Sequence, residues 1–247
     1  MSQPLVEVRD VVFAYPDGTP ALGGVTFRAE AGEAVALVGS NGAGKSTLLL
    51  HVNGYLMPAA GCVSLGGQPV TRQTVAVARR LVGMVFQDPD DQLFMPTVLE
   101  DVAFGPLNAG LPPEEARRVA GQALERVGMG HLAGRPPYKL SAGEKRAVAI
   151  ATVLSMAPEV LVMDEPSSNL DPRARRRLIE LLRSFEHARI IATHDLELVV
   201  EVCPRVVVMD GGKIVADGPT LQVLSDEALM QAHGLECPHI LRHLHPH

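Results

Sequence analysis

The sequence has no apolar run long enough to cross a bilayer. Its longest uncharged apolar stretch, AVAIATVLSMAP from Ala147 to Pro158, falls well short of the roughly 20 residues a membrane helix takes, so a soluble chain is expected. Cysteine is scarce. Cys62, Cys203 and Cys237 are too few and too widely spaced for a disulfide framework, which points to a reducing cytoplasm. Positive charge is not in excess either: 22 Lys and Arg stand against 28 Asp and Glu, a net charge of -6. That balance argues against a partner gripped by its nucleic-acid backbone. The opening MSQPLVEVRD has no basic region followed by an apolar core, so no secretory signal is expected there. No internal repeat is found, and biased composition is confined to a histidine-rich tail.

What is present is an ordinary α/β pattern in 247 residues, 47% hydrophobic and 20% charged. Five short runs rich in Val, Ile and Leu lack the polar alternation of a half-exposed strand: Ala34 to Val38, Val82 to Phe86, Val160 to Asp164, Arg189 to Thr193 and Val206 to Asp210. Continuous apolar character marks strands covered on both faces of a parallel sheet. Helical patterns fall between them at Pro113 to Val127, Glu144 to Met156, Pro172 to Phe185 and Leu196 to Val202, which predicts a doubly wound arrangement. The N-terminal segments LVEVRDVVFAY, GGVTFRAEAG and GCVSLGGQPV are alternating and turn-bounded, and read as antiparallel strands. From about Gln87 to Met156 no strand is evident, which predicts a helical insert.

Glycine and lysine concentrate where packing gains nothing from them. GSNGAGKST, Gly39 to Thr47, lies between a buried strand and an apolar helix start, and matches the phosphate-loop pattern in its required context. Glycines let successive N–H groups turn inward as an anion-holding nest at the positive end of the next helix. The expected nucleotide contacts are Gly39, Ser40, Asn41, Gly42, Ala43, Gly44, Lys45, Ser46 and Thr47. Lys45 would reach the terminal phosphates and the Ser46 hydroxyl would ligate Mg²⁺. VLVMDEP then sets Asp164 at the carboxyl end of a buried strand, where parallel sheets gather their ligands. Asp164 is expected to hold Mg²⁺ opposite Ser46, and Glu165 to act as general base on the attacking water. His194 ends the next buried strand, Arg189 to Thr193, and is expected beside the γ-phosphate.

The succession GSNGAGKST, Gln87, LSAGEKRAVAIA (Leu140 to Ala151), VLVMDEPSSNLD (Val160 to Asp171) and His194 resembles the ATPase subunit of an ABC transporter over essentially the whole chain. The resemblance implies a phosphate-loop NTPase core with a mostly parallel sheet, an N-terminal antiparallel β subdomain and an inserted helical subdomain. It implies one domain: core and β subdomain at 1–86 and 158–218, helical subdomain at 87–157, and a helical, histidine-rich tail at 219–247. It also implies roles. Tyr15 would stack on adenine, Gln87 would touch Mg²⁺ and water, and Asp171 would communicate across a dimer. Ser141 and Gly143, with Ala142 and Glu144 beside them, would hold the γ-phosphate of ATP bound by a second such subunit. The usual glycine and glutamine are replaced at Ala142 and Glu144; alanine tolerates a positive φ poorly, and an acid is unwelcoming to phosphate. Implied cofactors are ATP and Mg²⁺, and implied partners are a second ATPase subunit and integral membrane subunits, with the chain peripheral at the cytoplasmic face of the cell membrane.

The segment from Gln87 to Asn108, QDPDDQLFMPTVLEDVAFGPLN, resembles the ATPases of energy-coupling-factor importers, especially their cobalt-type members. The resemblance implies that Phe94 and Phe104, with Leu93 and Val98, form an apolar landing site for a membrane subunit. The tail carries His233, Cys237, His239, His243, His245 and His247, donors suited to a transition metal; His239, His243 and His245 are the candidate ligands, against the alternative of a solvated terminus. The RARRR cluster, Arg173 to Arg177, is expected to be a solvated helix face rather than a nucleic-acid surface.

Overall fold

The computed structural model describes residues 3–242. The chain runs β1 (Val6–Ala14), β2 (Pro20–Ala29), β3 (Ala34–Val38), α1 (Lys45–Val52), β4 (Ala60–Leu65), β5 (Gln68–Pro69), α2 (Val75–Leu81) and β6 (Val82–Val85). The middle is helical: α3 (Val98–Asn108), α4 (Pro113–Arg126) and α5 (Ala142–Leu154). There follow β7 (Val160–Asp164), α6 (Pro172–Ser184), β8 (Ala188–Ala192), α7 (Leu196–Val202), β9 (Arg205–Asp210) and β10 (Lys213–Pro219). Short helices α8 (Thr220–Leu224), α9 (Glu227–Ala232) and α10 (His239–Arg242) close the described chain.

Two sheets result. One is antiparallel, in the order β2-β1-β4-β5; the other has the order β10-β9-β3-β8-β7-β6 and is parallel except where β10 joins β9. The apolar runs behave as their composition dictates. Along β3, Val35 and Leu37 enter the core shared with the antiparallel sheet and α1, while Ala34, Ala36 and Val38 enter the core under the helices. β7 divides the same way, with Val160 and Val162 on one side and Leu161 and Met163 on the other. Because both faces are buried, side-chain alternation has no polar partner to display, and the carboxyl ends of these strands are held by packing on two sides.

Between β6 and β7 no strand occurs among the described residues, in keeping with the sequence pattern. Two expectations need correction. The signature helix starts at Ala142, not Glu144, because Ser141 caps it. Leu93 and Val98 are 8% and 0% exposed and belong to the core, so they offer nothing to a partner; the apolar side chains that do reach solvent there are Phe94, Phe104 and Leu107.

Candidate functional site

β3 delivers the chain into the glycine loop and α1 carries it away. Gly42 and Gly44 have φ of 81° and 99°, a region where side chains are strained. At Gly44 a Cβ would also lie 2.7 Å from the Ala21 carbonyl oxygen, so close packing and backbone conformation both demand glycine. Lys45 turns back over the loop, its Nζ donating to the carbonyl oxygens of Gly39 at 2.7 Å and Ser40 at 3.0 Å. Burial pulls the Lys45 ammonium below its ordinary pKa, opposed by the charges of Glu165 and Asp164. The loop floors a cleft of about 840 Å³ that also meets Tyr15, Gln87, Glu165 and His194. That size falls in the range of ligand pockets. The Tyr15 hydroxyl lies 2.9 Å from Thr47 Oγ1, and its ring stands edge-on to Phe13 at the cleft wall. Thr47 is largely buried but also lines this cleft.

The acid pair is set by the two strands behind it. Asp164 ends β7 opposite Ala192 of β8. Its Oδ1 is buried with no hydrogen-bond partner. Burial pushes its carboxyl pKa up, and a hydrogen bond from the Ser46 side chain opposes this. An orphaned carboxylate oxygen beside a serine hydroxyl is the oxygen donor set that suits Mg²⁺. Glu165 follows with φ of 47°, a strained conformation for a side-chain-bearing residue. It is held there by its N–H to the Ala192 carbonyl at 2.8 Å. Its Oε2 accepts from Thr193 Oγ1 at 3.1 Å and from the His194 N–H at 3.2 Å, and His194 Nδ1 lies 2.8 Å away. The carboxylate is therefore oriented entirely from the end of β8. As the apolar runs imply, β8 neighbours β7 and brings His194 to Glu165. Thr193, fully buried, carries an orienting role that strand pattern alone does not signal.

The signature residues lie elsewhere. Ser141 is the N-cap of α5, and Glu144 folds back onto it: Oε2 accepts the Ser141 N–H at 2.8 Å and the Ser141 hydroxyl at 2.9 Å. This reciprocal capping box satisfies two otherwise orphaned donors and, through Ser141's N–H first, holds the Glu144 carboxyl below its usual range. Ala142 and Gly143 have helical backbone without positive φ, so alanine at 142 meets no conformational penalty, contrary to expectation. Gly143 earns its place by contact, since a Cβ there would sit 3.0 Å from Ala174 Cβ. Ser141, Gly143 and Glu144 line a second cleft of about 620 Å³ together with Asp171; they do not line the phosphate-loop cleft. Asp171 caps α6, accepting from the N–H groups of Arg173 and Ala174 at 2.8 and 3.0 Å, so within the lone chain it does structural work. Gln87 reaches the first cleft, and also a third that borders α5.

Outside the clefts, Phe94 is 63% exposed and packs edge-to-face on Phe104 with ring centroids 5.0 Å apart. The arginine cluster splits: Arg175 forks onto Asp195 at 2.8 and 2.9 Å, while Arg173, Arg176 and Arg177 are exposed. In the tail, His233 Nδ1 pairs with Asp210 at 2.9 Å and His239 opens α10. The other candidate ligands, His243 and His245, lie outside the described residues, among which no group of three metal-binding side chains is found. No described helix is long and apolar enough to cross a membrane.

A family model described as ABC transporter matches residues 22–168. A Geobacter sulfurreducens protein, provisionally named as an ABC transporter ATP-binding protein, is 60% identical over 96% of this chain and 96% of its own length. The energy-coupling factor transporter ATP-binding protein EcfA of Methanothermobacter thermautotrophicus is 46% identical over 95% of this chain and 77% of that protein. The solved structure of cbiO1 from Clostridium perfringens, described as part of the ABC transporter complex cbiONQ, superposes with a TM-score of 0.82 at 37% identity, covering 98% of this chain and 99% of that one.

Proposed function

The chain belongs to the ABC transporter family of ATP-hydrolysing subunits, close to the energy-coupling-factor type, and on that premise we propose that it is the motor of an importer of cobalt or another transition-metal ion. One observation carries the mechanical part. The phosphate-loop cleft and the signature cleft are separate on one chain, so neither encloses a triphosphate alone. Two such subunits facing head-to-tail would each complete the other's site.

In that reading the loop N–H groups and Lys45 bind the phosphates, and Tyr15 stacks on adenine. Ser46, Asp164 and Gln87 would hold Mg²⁺, which supplies charge neutralisation between the phosphates. Glu165, aimed by Thr193 and His194, takes the proton of the attacking water. The partner's copies of Ser141 and Gly143 cover the γ-phosphate, so binding closes the pair and hydrolysis releases it. Residues 87–157 act as a helical subdomain that presents the Phe94 and Phe104 pair to membrane subunits, which places the chain peripherally on the cytoplasmic face of the membrane. The cargo assignment leans on the cobalt-type pattern of Gln87 to Asn108 and on the likeness to cbiO1.

Light scattering on Glu165→Gln with and without ATP tests the mechanical claim: a mass that doubles with ATP supports it, and a chain that stays monomeric with bound ATP refutes it. Purification with its membrane subunits, followed by elemental analysis of the bound metal, tests the cargo; an organic vitamin in place of metal overturns that part alone.

A further inference from the structure

Arg146 is a buried cation whose hydrogen bonds go to neutral carbonyls. It projects from α5, three residues beyond Gly143, and is 3% exposed. Nη1 donates to the Phe86 carbonyl at 2.7 Å and Nη2 to the Gln87 carbonyl at 2.6 Å, while Nε is buried with no partner. Burial works against its charge, and Asp88, Asp164 and Glu165 support the charge from a distance. Burying a guanidinium is costly, and its hydrogen bonds to these carbonyls offset that cost only in part.

The carbonyls it holds belong to the segment that carries Gln87 out of β6 and into the phosphate-loop cleft. Phe86 is fixed at its other end as well, its N–H donating to Gln92 Oε1 at 3.3 Å. Gln92 Nε2 in turn donates to the Ala149 carbonyl at 2.9 Å and Thr152 Oγ1 at 2.7 Å, both on α5. Lys145, next to Arg146, pairs with Asp90 at 2.6 Å. Three side chains thus bolt the signature helix to residues 86–92, and of these bonds only those of Arg146 reach the backbone of Gln87.

We infer that Arg146 is a positioning residue for Gln87, making the signature helix and the Gln87 segment move as one piece. A nucleotide held by the partner against Ser141 and Gly143 pushes on the N-terminus of α5. Arg146, one turn further along the same rigid helix, passes that displacement to the Gln87 carbonyl. Each chain thereby senses, in its own cleft, that its signature face is occupied. The inference rests on the proposed role of Gln87 in that cleft.

A double-mutant cycle on the full chain tests it, with kcat, KM for ATP and melting temperature measured for Arg146→Met, Gln87→Ala and the double variant. Loss of two charge-assisted hydrogen bonds to the segment predicts that Arg146→Met lowers kcat about tenfold with KM within about twofold. Acting through Gln87, it should add less than about twofold to the Gln87→Ala defect. Arg146→Lys, which still donates to carbonyls, should restore part of kcat, and it takes the place of the methionine variant in the cycle if that protein does not fold. Multiplying defects, or a lowered melting temperature with unchanged kcat, would overturn the inference while leaving the catalytic cleft intact. Unchanged kcat in Gln87→Ala overturns both.

Discussion

The two regions proposed to face phosphate are built on opposite plans. The glycine loop has glycines where side chains do not fit, and a lysine parked on the loop's own carbonyls. It is an open receptor waiting for an anion. The signature turn is already complete, with the Ser141 N–H and hydroxyl both given to Glu144. To hold a partner's phosphate it must exchange one anionic acceptor for another. In the proposed reading the loop provides affinity and the signature a contact that forms only when two chains meet, which suits a joint that has to open on every cycle.

Several changes break or sharpen this contrast. The largest effect is expected at Glu165, the proposed general base held by Thr193 and His194: Glu165→Gln should lower steady-state ATP turnover by about a thousandfold while nucleotide binding, followed with a fluorescent ATP analogue, stays within about twofold. Next is the loop lysine. Lys45→Ala removes the charge-assisted contact to the phosphates and should weaken ATP affinity, measured by calorimetry, by about a hundredfold.

The signature half should respond to charge rather than loss of a group. Glu144→Gln keeps an acceptor for the Ser141 N–H but removes an anion from the phosphate's approach, so half-maximal ATP-driven dimerisation should need about threefold less ATP. The gain should shrink as salt rises. A dimer indifferent to the change would mean that Glu144 does not compete for Ser141. The smallest effect is structural. Ala142 occupies a helical position, so Ala142→Gly, the residue the family pattern would favour, should destabilise the chain by about 0.5–1 kcal/mol in a denaturant melt.

How much of this was visible in the sequence follows from whether the signal was local. β3 and β7 are legible because burial on both faces removes every polar residue from five consecutive positions in β3 and from the four before Asp164 in β7. The phosphate loop is legible because its glycines have no packing purpose. The acid pair is legible from its place at a strand end. Other features depend on tertiary neighbours. Nothing in DDQLFMPTV distinguishes buried Leu93 and Val98 from exposed Phe94, since all are apolar and the chain there is a loop entering a helix. Arg146 looks like one more basic residue in a helical run until the fold brings Phe86 and Gln87 under it. Glu144 was visible as an acid near a helix start, yet its backward fold onto Ser141, a pattern the capping box makes readable, reverses the reading of its neighbour Ala142: a glycine is not needed where the backbone is helical.

The Phe94 and Phe104 pair has a consequence for the cell rather than for catalysis. Two aromatic rings in edge-to-face contact form an exposed apolar corner that the proposed membrane subunits would cover. If membrane subunits cover that corner, as proposed, copies made without them would leave it exposed and tend to self-associate.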